Sequence, residues 1–401
     1  MQGKTADSDS ARAAVECDVL VIGAGLVGAG FARALRSSGL RTLLLDAEVP
    51  AEPSQDGGDS RIYAISPGSK DFLDQCGAWG RIASERIACV EAMQVFGDAQ
   101  GAEIIFSAYD CAIPELCYIV EGREIQQALA AANAEPGGPA RLFGHSPVAL
   151  ALGEEGVLVD LADGRSIDAR LVVGADGMNS WVREMAGMEH SVRAYGQQGV
   201  VANFETELGH ESIARQWFVS GGVVALLPLP GNRVSLVWST SDAHAARLLA
   251  HEPHDFEHEV ATACRHALGA MRLVTLPRSF PLHLLRVAQT VRPRLALLGD
   301  AAHVVHPLAG QGLNLGFQDA CELARVLRER GPQDDCGDHR LLRRYARARR
   351  ETVAAMQWTT DGLQRLFATR AYGASWLRNT GLQFTNAIVP LKNILIEHAL
   401  A

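Results

Sequence analysis

A chain of 401 residues, 48% hydrophobic and 21% charged, has apolar mass for about two to three packed domains. That composition excludes a disordered, collagen-like or disulfide-stapled chain. A formal charge of −9, from 37 basic and 46 acidic side chains, argues against nucleic acid as a partner, since that partner selects for a basic face. Residues 1–16 are small, polar and mixed in charge; they read as a disordered tail without the apolar stretch of a signal peptide. No uncharged apolar run reaches the 18 or so residues that a spanning helix needs. Eight cysteines are scattered without a C-x-x-C pair, which predicts reduced thiols and a cytoplasmic location.

The first predicted element is a buried strand, Cys17 to Ile22 (CDVLVI), followed by glycines, a helix from Leu26 to Ser37 and a second strand, Arg41 to Asp46. This is a βαβ unit. Gly23-Ala24-Gly25-Leu26-Val27-Gly28 is G-x-G-x-x-G set between strand and helix. Glycine there allows a tight turn, a close approach of backbone N–H groups to a pyrophosphate, and close helix–sheet packing. Asp46 ends the second strand 18 residues after Gly28, where an acid accepts a hydrogen bond from a ribose hydroxyl and repels a 2′-phosphate. The unit alone leaves FAD and NAD both open.

Further along, Ala51 to Ser60 is a Pro/Gly/Asp loop, and residues 87–106 alternate as strands of a different sheet. Tyr118 to Asn133 reads as a strand end running into a helix, and two strands flank the turn Asp163-Gly164. Residues 199–240 are strongly β-like, with Pro230-Gly231-Asn232 as a hairpin turn. Helix is expected over Asp242 to Leu268, strand over Leu295 to Leu298, and helix over Leu313 to Arg330 and 339–400. The fold class is α/β with a β-rich insert and C-terminal helices.

Two more motifs follow strands. One is Val173-Gly174-Ala175-Asp176-Gly177, leading to Ser180 and Arg183; the other is the long GDAAHVVHPLAGQGLNLGFQDA from Gly299 to Ala320. With these the chain resembles the class A flavoprotein monooxygenases, and within them the UbiH/UbiF/VisC group of ubiquinone-biosynthesis hydroxylases. Weaker features agree in order: Asp59-x-Arg61, Tyr118-Ile119-Val120-Glu121, Ala225 to Leu229, Phe280-Pro281-Leu282 and Pro390-Leu391-Lys392. One position departs. The family usually carries Asn after that glutamate, and here it is Gly122, with Arg123 as the neighbour expected to take over a flavin contact.

The resemblance implies a discontinuous Rossmann-like FAD-binding domain over 17–81, 109–190 and 285–335. A β-sheet substrate domain is expected over 82–108 and 191–284, with C-terminal helices over 336–401. It implies FAD as cofactor, NAD(P)H as a transient reductant (no second G-x-G-x-x-G exists) and O2 as co-substrate for hydroxylating a polyprenylated phenol. Cofactor contacts are expected from Gly23, Gly25, Gly28, Asp46, Arg61, Arg123, Asp176, Gly177, Asp300, Pro307, Gly310, Gln311, Gly312, Leu313 and Asn314. Asp300 suits a ribityl hydroxyl, and the helix opening at Leu313-Asn314 offers a positive end to the charge of reduced flavin. No catalytic side chain emerges. His303 and His306 lack a third ligand, so no metal is expected. A flavin-binding scaffold, or a reductase or dehydrogenase on the same fold, shares all these motifs. Trp376 to Leu400 is apolar-rich and broken by Pro390; it is either a structural cap or a peripheral contact with the inner membrane or a biosynthetic complex.

Overall fold

The computed structural model describes residues 14–49, 61–97, 103–219, 222–306 and 310–368. Its eight helices are α1 Leu26–Ala34, α2 Pro67–Gln75, α3 Gly122–Asn133, α4 Trp181–Met185, α5 Asp242–Leu249, α6 Pro253–Ala263, α7 Gly312–Arg328 and α8 His339–Ala368, counted among the described residues.

Strand Val15–Ile22 lies parallel to Thr42–Asp46 on one side and to Ser166–Gly174 on the other. Ala140–Phe143 and Leu295–Leu297 extend the parallel set outward. The hairpin Pro147–Leu152/Val157–Leu161 and the short Val291–Arg292 complete an eight-stranded sheet. Alternation decides its two faces. Val19, Val21, Leu171 and Val173 pack under α1, α3, α7 and α8. Leu20, Ile22, Leu43, Leu45 and Val172 pack against the hairpin and α4.

The second sheet has nine strands among the described residues, running from His303–Val304 through Arg278–Val287, His190–Thr206, Arg233–Ser241, Gly222–Leu229, Ile213–Val219 and Ala92–Phe96 to Glu103–Ser107, with Met271–Leu273 alongside. One face buries Phe204, Trp217, Val224 and Leu236 beneath Leu248, Phe256 and Val260 of α5 and α6. A three-stranded sheet, Ile62–Ile65, Cys117–Glu121 and Ile87–Val90, fills the space between. The chain returns to the large sheet edge at His303–Val304, where the long glycine motif pairs with Leu285 and Arg286. That pairing sews the two halves together.

Several elements differ from expectation. The first strand starts at Val15, so two residues of the expected 1–16 tail pair with Ile167 and Asp168; residues 1–13 of that tail lie outside the described residues. Helix α1 stops at Ala34, and Gly39 (φ +73°) closes the following turn rather than the helix itself. The single helix expected over 242–268 is two, because Pro253 starts a new one. Strand His190–Thr206 is 17 residues long and runs through the polar VRAYGQQ, which hides its alternation; its register against Arg278–Val287 shifts between Ala194 and Gln198, where Pro281 is accommodated.

Candidate active site

The carboxyl ends of the parallel strands gather the motifs along one edge, the position where open α/β sheets take their ligands. Val15–Ile22 runs out into Gly23, Thr42–Asp46 ends on Asp46, Ser166–Gly174 leads to Asp176 and Leu295–Leu297 leads to Asp300.

The glycine loop is tight by necessity. Gly23 has φ +103°, and a Cβ there would stand 2.4 Å from the Ala175 carbonyl oxygen. A Cβ on Gly28 would lie 1.9 Å from the Gly23 carbonyl oxygen. Gly25, which caps α1, is different: a Cβ there would meet nothing within 4 Å. Two of these glycines are required by the protein and the third leaves space open at the helix N-terminus. The loop is held from both sides. Asp46 accepts from the Ala24 N–H (2.6 Å) and the Glu48 N–H (2.9 Å), while Gln126 of α3 donates to the Ala24 carbonyl (2.8 Å). Asp46 is half-buried.

In the second motif, Asp176 accepts from the Ser180 hydroxyl (2.6 Å) and the Val182 N–H (3.0 Å), so it fixes the start of α4. Burial raises its pKa against the lowering pull of those two bonds. Gly177 (φ +80°) again faces open space. Arg183, named in the motif but not among the expected cofactor contacts, is buried and donates to the Met178 and Ala301 carbonyls, tying this motif to the next.

In the third motif, Gly299 (φ +56°) rests on Val27 of α1, and its N–H donates to Asp319 (3.1 Å). This turn lifts Asp300 into solvent. The protein still crowds the Asp300 carboxyl closely enough to raise its pKa, which the nearby His303 opposes. An exposed carboxyl just past a strand end is available to an incoming hydroxyl. Downstream, Gly310 (φ +62°) and Gln311 lead into α7; Gly312 has open space where a Cβ would be, and Gln311, Gly312 and Leu313 are half-buried. The side chain of Asn314 turns inward, donating to the Ala64 carbonyl (2.9 Å) and accepting from the Ser66 N–H (3.1 Å). At that position only the backbone is left for a ligand. Pro307 lies outside the described residues.

Arg61 is exposed, and its carbonyl accepts from the Gly122 N–H (2.8 Å). Arg123 sits between Glu121 and Glu124. The departure at Gly122 has a local cause: a Cβ would stand 2.8 Å from Cε2 of Tyr63. The two histidines of the long motif diverge, His303 to Asp319 (2.6 Å) and His306 to Gln197 (3.1 Å). A cavity of about 220 Å³ lies elsewhere, between α2, α7 and α8, lined by Phe72, Phe317, Cys321 and Arg349 among others and by none of the motif glycines.

The family model of the FAD binding domain matches residues 16–359. The chain belongs to the FAD-dependent ubiquinone-biosynthesis hydroxylases. It is 35% identical to the ubiquinone hydroxylase UbiL of Rhodospirillum rubrum, over 96% of this chain and 89% of that one. It is 32% identical to the 3-demethoxyubiquinol 3-hydroxylase of Escherichia coli, over 96% and 98%. Its fold is that of PqsL, a probable FAD-dependent monooxygenase from Pseudomonas aeruginosa (TM-score 0.76, 22% identity, 92% of this chain and all of that one). This hydroxylase is therefore an FAD-dependent monooxygenase, and the resemblance read from its motifs extends over nearly the whole chain. The open faces of Gly25, Gly177 and Gly312, with the solvent-facing Asp300, fit a long, flat, hydroxyl-bearing cofactor laid along the strand ends.

Proposed function

We propose that this hydroxylase places one oxygen atom of O2 on a ring carbon of a polyprenylated phenol, with NAD(P)H as reductant. The observation that carries the reading is the convergence of three glycine motifs on one sheet edge, beside the seam where His303–Val304 joins the nine-stranded sheet. Gly23, Gly25 and Gly28 cradle the FAD pyrophosphate at the α1 N-terminus, and Asp46 takes an adenosine ribose hydroxyl. Asp300 accepts from the ribityl chain. The backbone of Gly310, Gln311, Gly312, Leu313 and Asn314 holds the polar edge of the ring, where the α7 dipole stabilises negative charge. Arg61, Arg123, Asp176 and Gly177 contact the same cofactor, and Pro307 completes the set from outside the described residues.

Bound FAD supplies the oxygen activation that these side chains cannot perform themselves. The chain's part is to orient ring against ring and keep water out. We assign the cofactor domain to residues 17–81, 109–190 and 285–335, the substrate domain to 82–108 and 191–284, and a helical region to 336–401. The eight-stranded and nine-stranded sheets support that division in outline, with Ile87–Val90, Arg278–Val287 and His303–Val304 pairing across it.

A polyprenyl tail is nearly insoluble in water, so its ring is met at a bilayer or on a lipid-handling partner. No helix among the described residues is long and apolar enough to cross a membrane. We assign the peripheral contact to Trp376–Leu400, which lies outside the described residues. Truncation after Arg378 should leave FAD binding intact and abolish co-sedimentation with liposomes.

Turnover of a short-chain prenyl phenol under labelled O2 tests the reaction: phenol-stimulated NAD(P)H oxidation with one labelled oxygen in the product is expected. NAD(P)H oxidation indifferent to any phenol, with no label in the ring, would overturn it.

A further inference from the structure

Helix α7 carries a charge on its apolar stripe. Between Phe317 and Ala320, both fully buried, stands Asp319, with none of its surface exposed. A buried carboxylate costs several kcal/mol unless its lone pairs are filled. Here three donors fill them. Oδ2 accepts from Gly299 N–H (3.1 Å) and His303 Nε2 (2.6 Å), and Oδ1 accepts from Arg349 Nε of α8 (2.7 Å). Burial alone would raise its pKa; His303 and Arg349 outweigh that and hold it below the ordinary carboxylate range. The group is ionised.

The donors are informative in their positions. Gly299 and His303 bracket Asp300, one residue before it and three after. Gly316, on the same helix, comes so close to this turn that a Cβ would sit 3.4 Å from the Gly299 Cα and 2.6 Å from Val27. Arg349 continues the network into α8, where its Nη2 also reaches the Leu315 carbonyl (3.4 Å). One carboxylate thus fixes both ends of the turn that presents Asp300 and ties them to the helix that starts at Gly312.

We propose that Asp319 is a positioning residue for FAD: it acts through the Asp300 turn and makes α8, by way of Arg349, part of the cofactor site. This rests on the assignment of Asp300 to the ribityl chain. An asparagine at 319 offers one acceptor oxygen and turns an N–H₂ group toward a donor, so the turn loses at least one tether.

The test is a double-mutant cycle on the apoprotein, read as FAD dissociation constants from flavin fluorescence. Asp319→Asn and Asp300→Ala should each weaken FAD about tenfold or more. The double variant should be no worse than Asp300→Ala within about twofold, because the first change works through the second. Additive losses, or unchanged affinity in Asp319→Asn, would overturn the proposal even if the apoprotein is less stable. Should Asp319→Asn fail to fold, His303 gives the same answer. His303→Gln keeps an N–H donor and should bind FAD within about twofold of wild type, whereas His303→Leu should lose about tenfold; equal affinities in the two would overturn it. An Asp300→Ala single variant that binds FAD as wild type does would instead overturn the assignment of Asp300.

Discussion

Arg183 donates to the carbonyl of Ala301 at 3.0 Å, across 118 residues of sequence, and to that of Met178 at 2.7 Å. Its guanidinium is buried, so the geometry of the Asp300 turn depends on a side chain from the neighbouring motif. Arg183→Leu strands two carbonyls, each at about 1–3 kcal/mol. Urea unfolding of the variant should show that loss, and FAD should leave it on desalting while wild type keeps its colour. Arg183→Lys lacks the fork that spans both carbonyls and should fall between.

Asp46 and Asp300 do different work. Asp46 accepts two backbone N–H groups, whereas Asp300 faces solvent. Asp46→Ala should therefore lower the stability of the apoprotein by about 1–2 kcal/mol as well as weakening FAD. Asp300→Ala should weaken FAD and leave the apoprotein at least as stable as before. Thermal melts with and without FAD separate the two, and a destabilised Asp300→Ala apoprotein would contradict the assignment.

The glycine loop, its acid and both further motifs are legible in the sequence because their spacing states backbone requirements. Gly23 and Gly28 are glycine for reasons that any strand–turn–helix of this kind imposes. Asp319, Arg183 and Tyr63 are legible only in three dimensions, since their partners lie far away in sequence or in another element. A signal for Asp319 exists all the same: it is a charge on the apolar stripe of a helix, which local propensity cannot explain. The first half of the strand His190–Thr206 escaped because its polar run lies along a register shift, where alternation carries no information.

Gly122 shows how a departure from family pattern can be a packing matter. Its φ is not in the left-handed region, so the backbone does not demand glycine; the ring of Tyr63 does, 2.8 Å from where a Cβ would stand. Gly122→Asn should cost about 1–3 kcal/mol through overpacking. In a Tyr63→Ala background the same substitution should cost markedly less. Urea midpoints of the four proteins check this, and equal penalties in both backgrounds would place the cause elsewhere.

His306 is 1% exposed, and its Nδ1 has no hydrogen-bond partner among the described residues. Burial lowers its pKa to about 4, with Asp361 of α8 pulling the other way. Around it stand the Tyr195 ring, edge-on at 4.8 Å, and Gln197, while Asp361 is itself paired with Arg193. Below pH about 6.5 the unfolded chain protonates this histidine while the folded chain does not, so the unfolded state binds more protons and stability falls as pH drops. The loss runs from pH about 6.5 down to about 4 and amounts to ~3 kcal/mol, levelling off below that. Other groups titrate over the same range, so the informative quantity is the difference between wild type and His306→Gln, which takes up no proton in either state. Urea unfolding at pH 7 and at pH 4.5 should show wild type losing more stability than the variant by most of that amount. Parallel losses in the two proteins would mean that the imidazole is not held neutral by its surroundings.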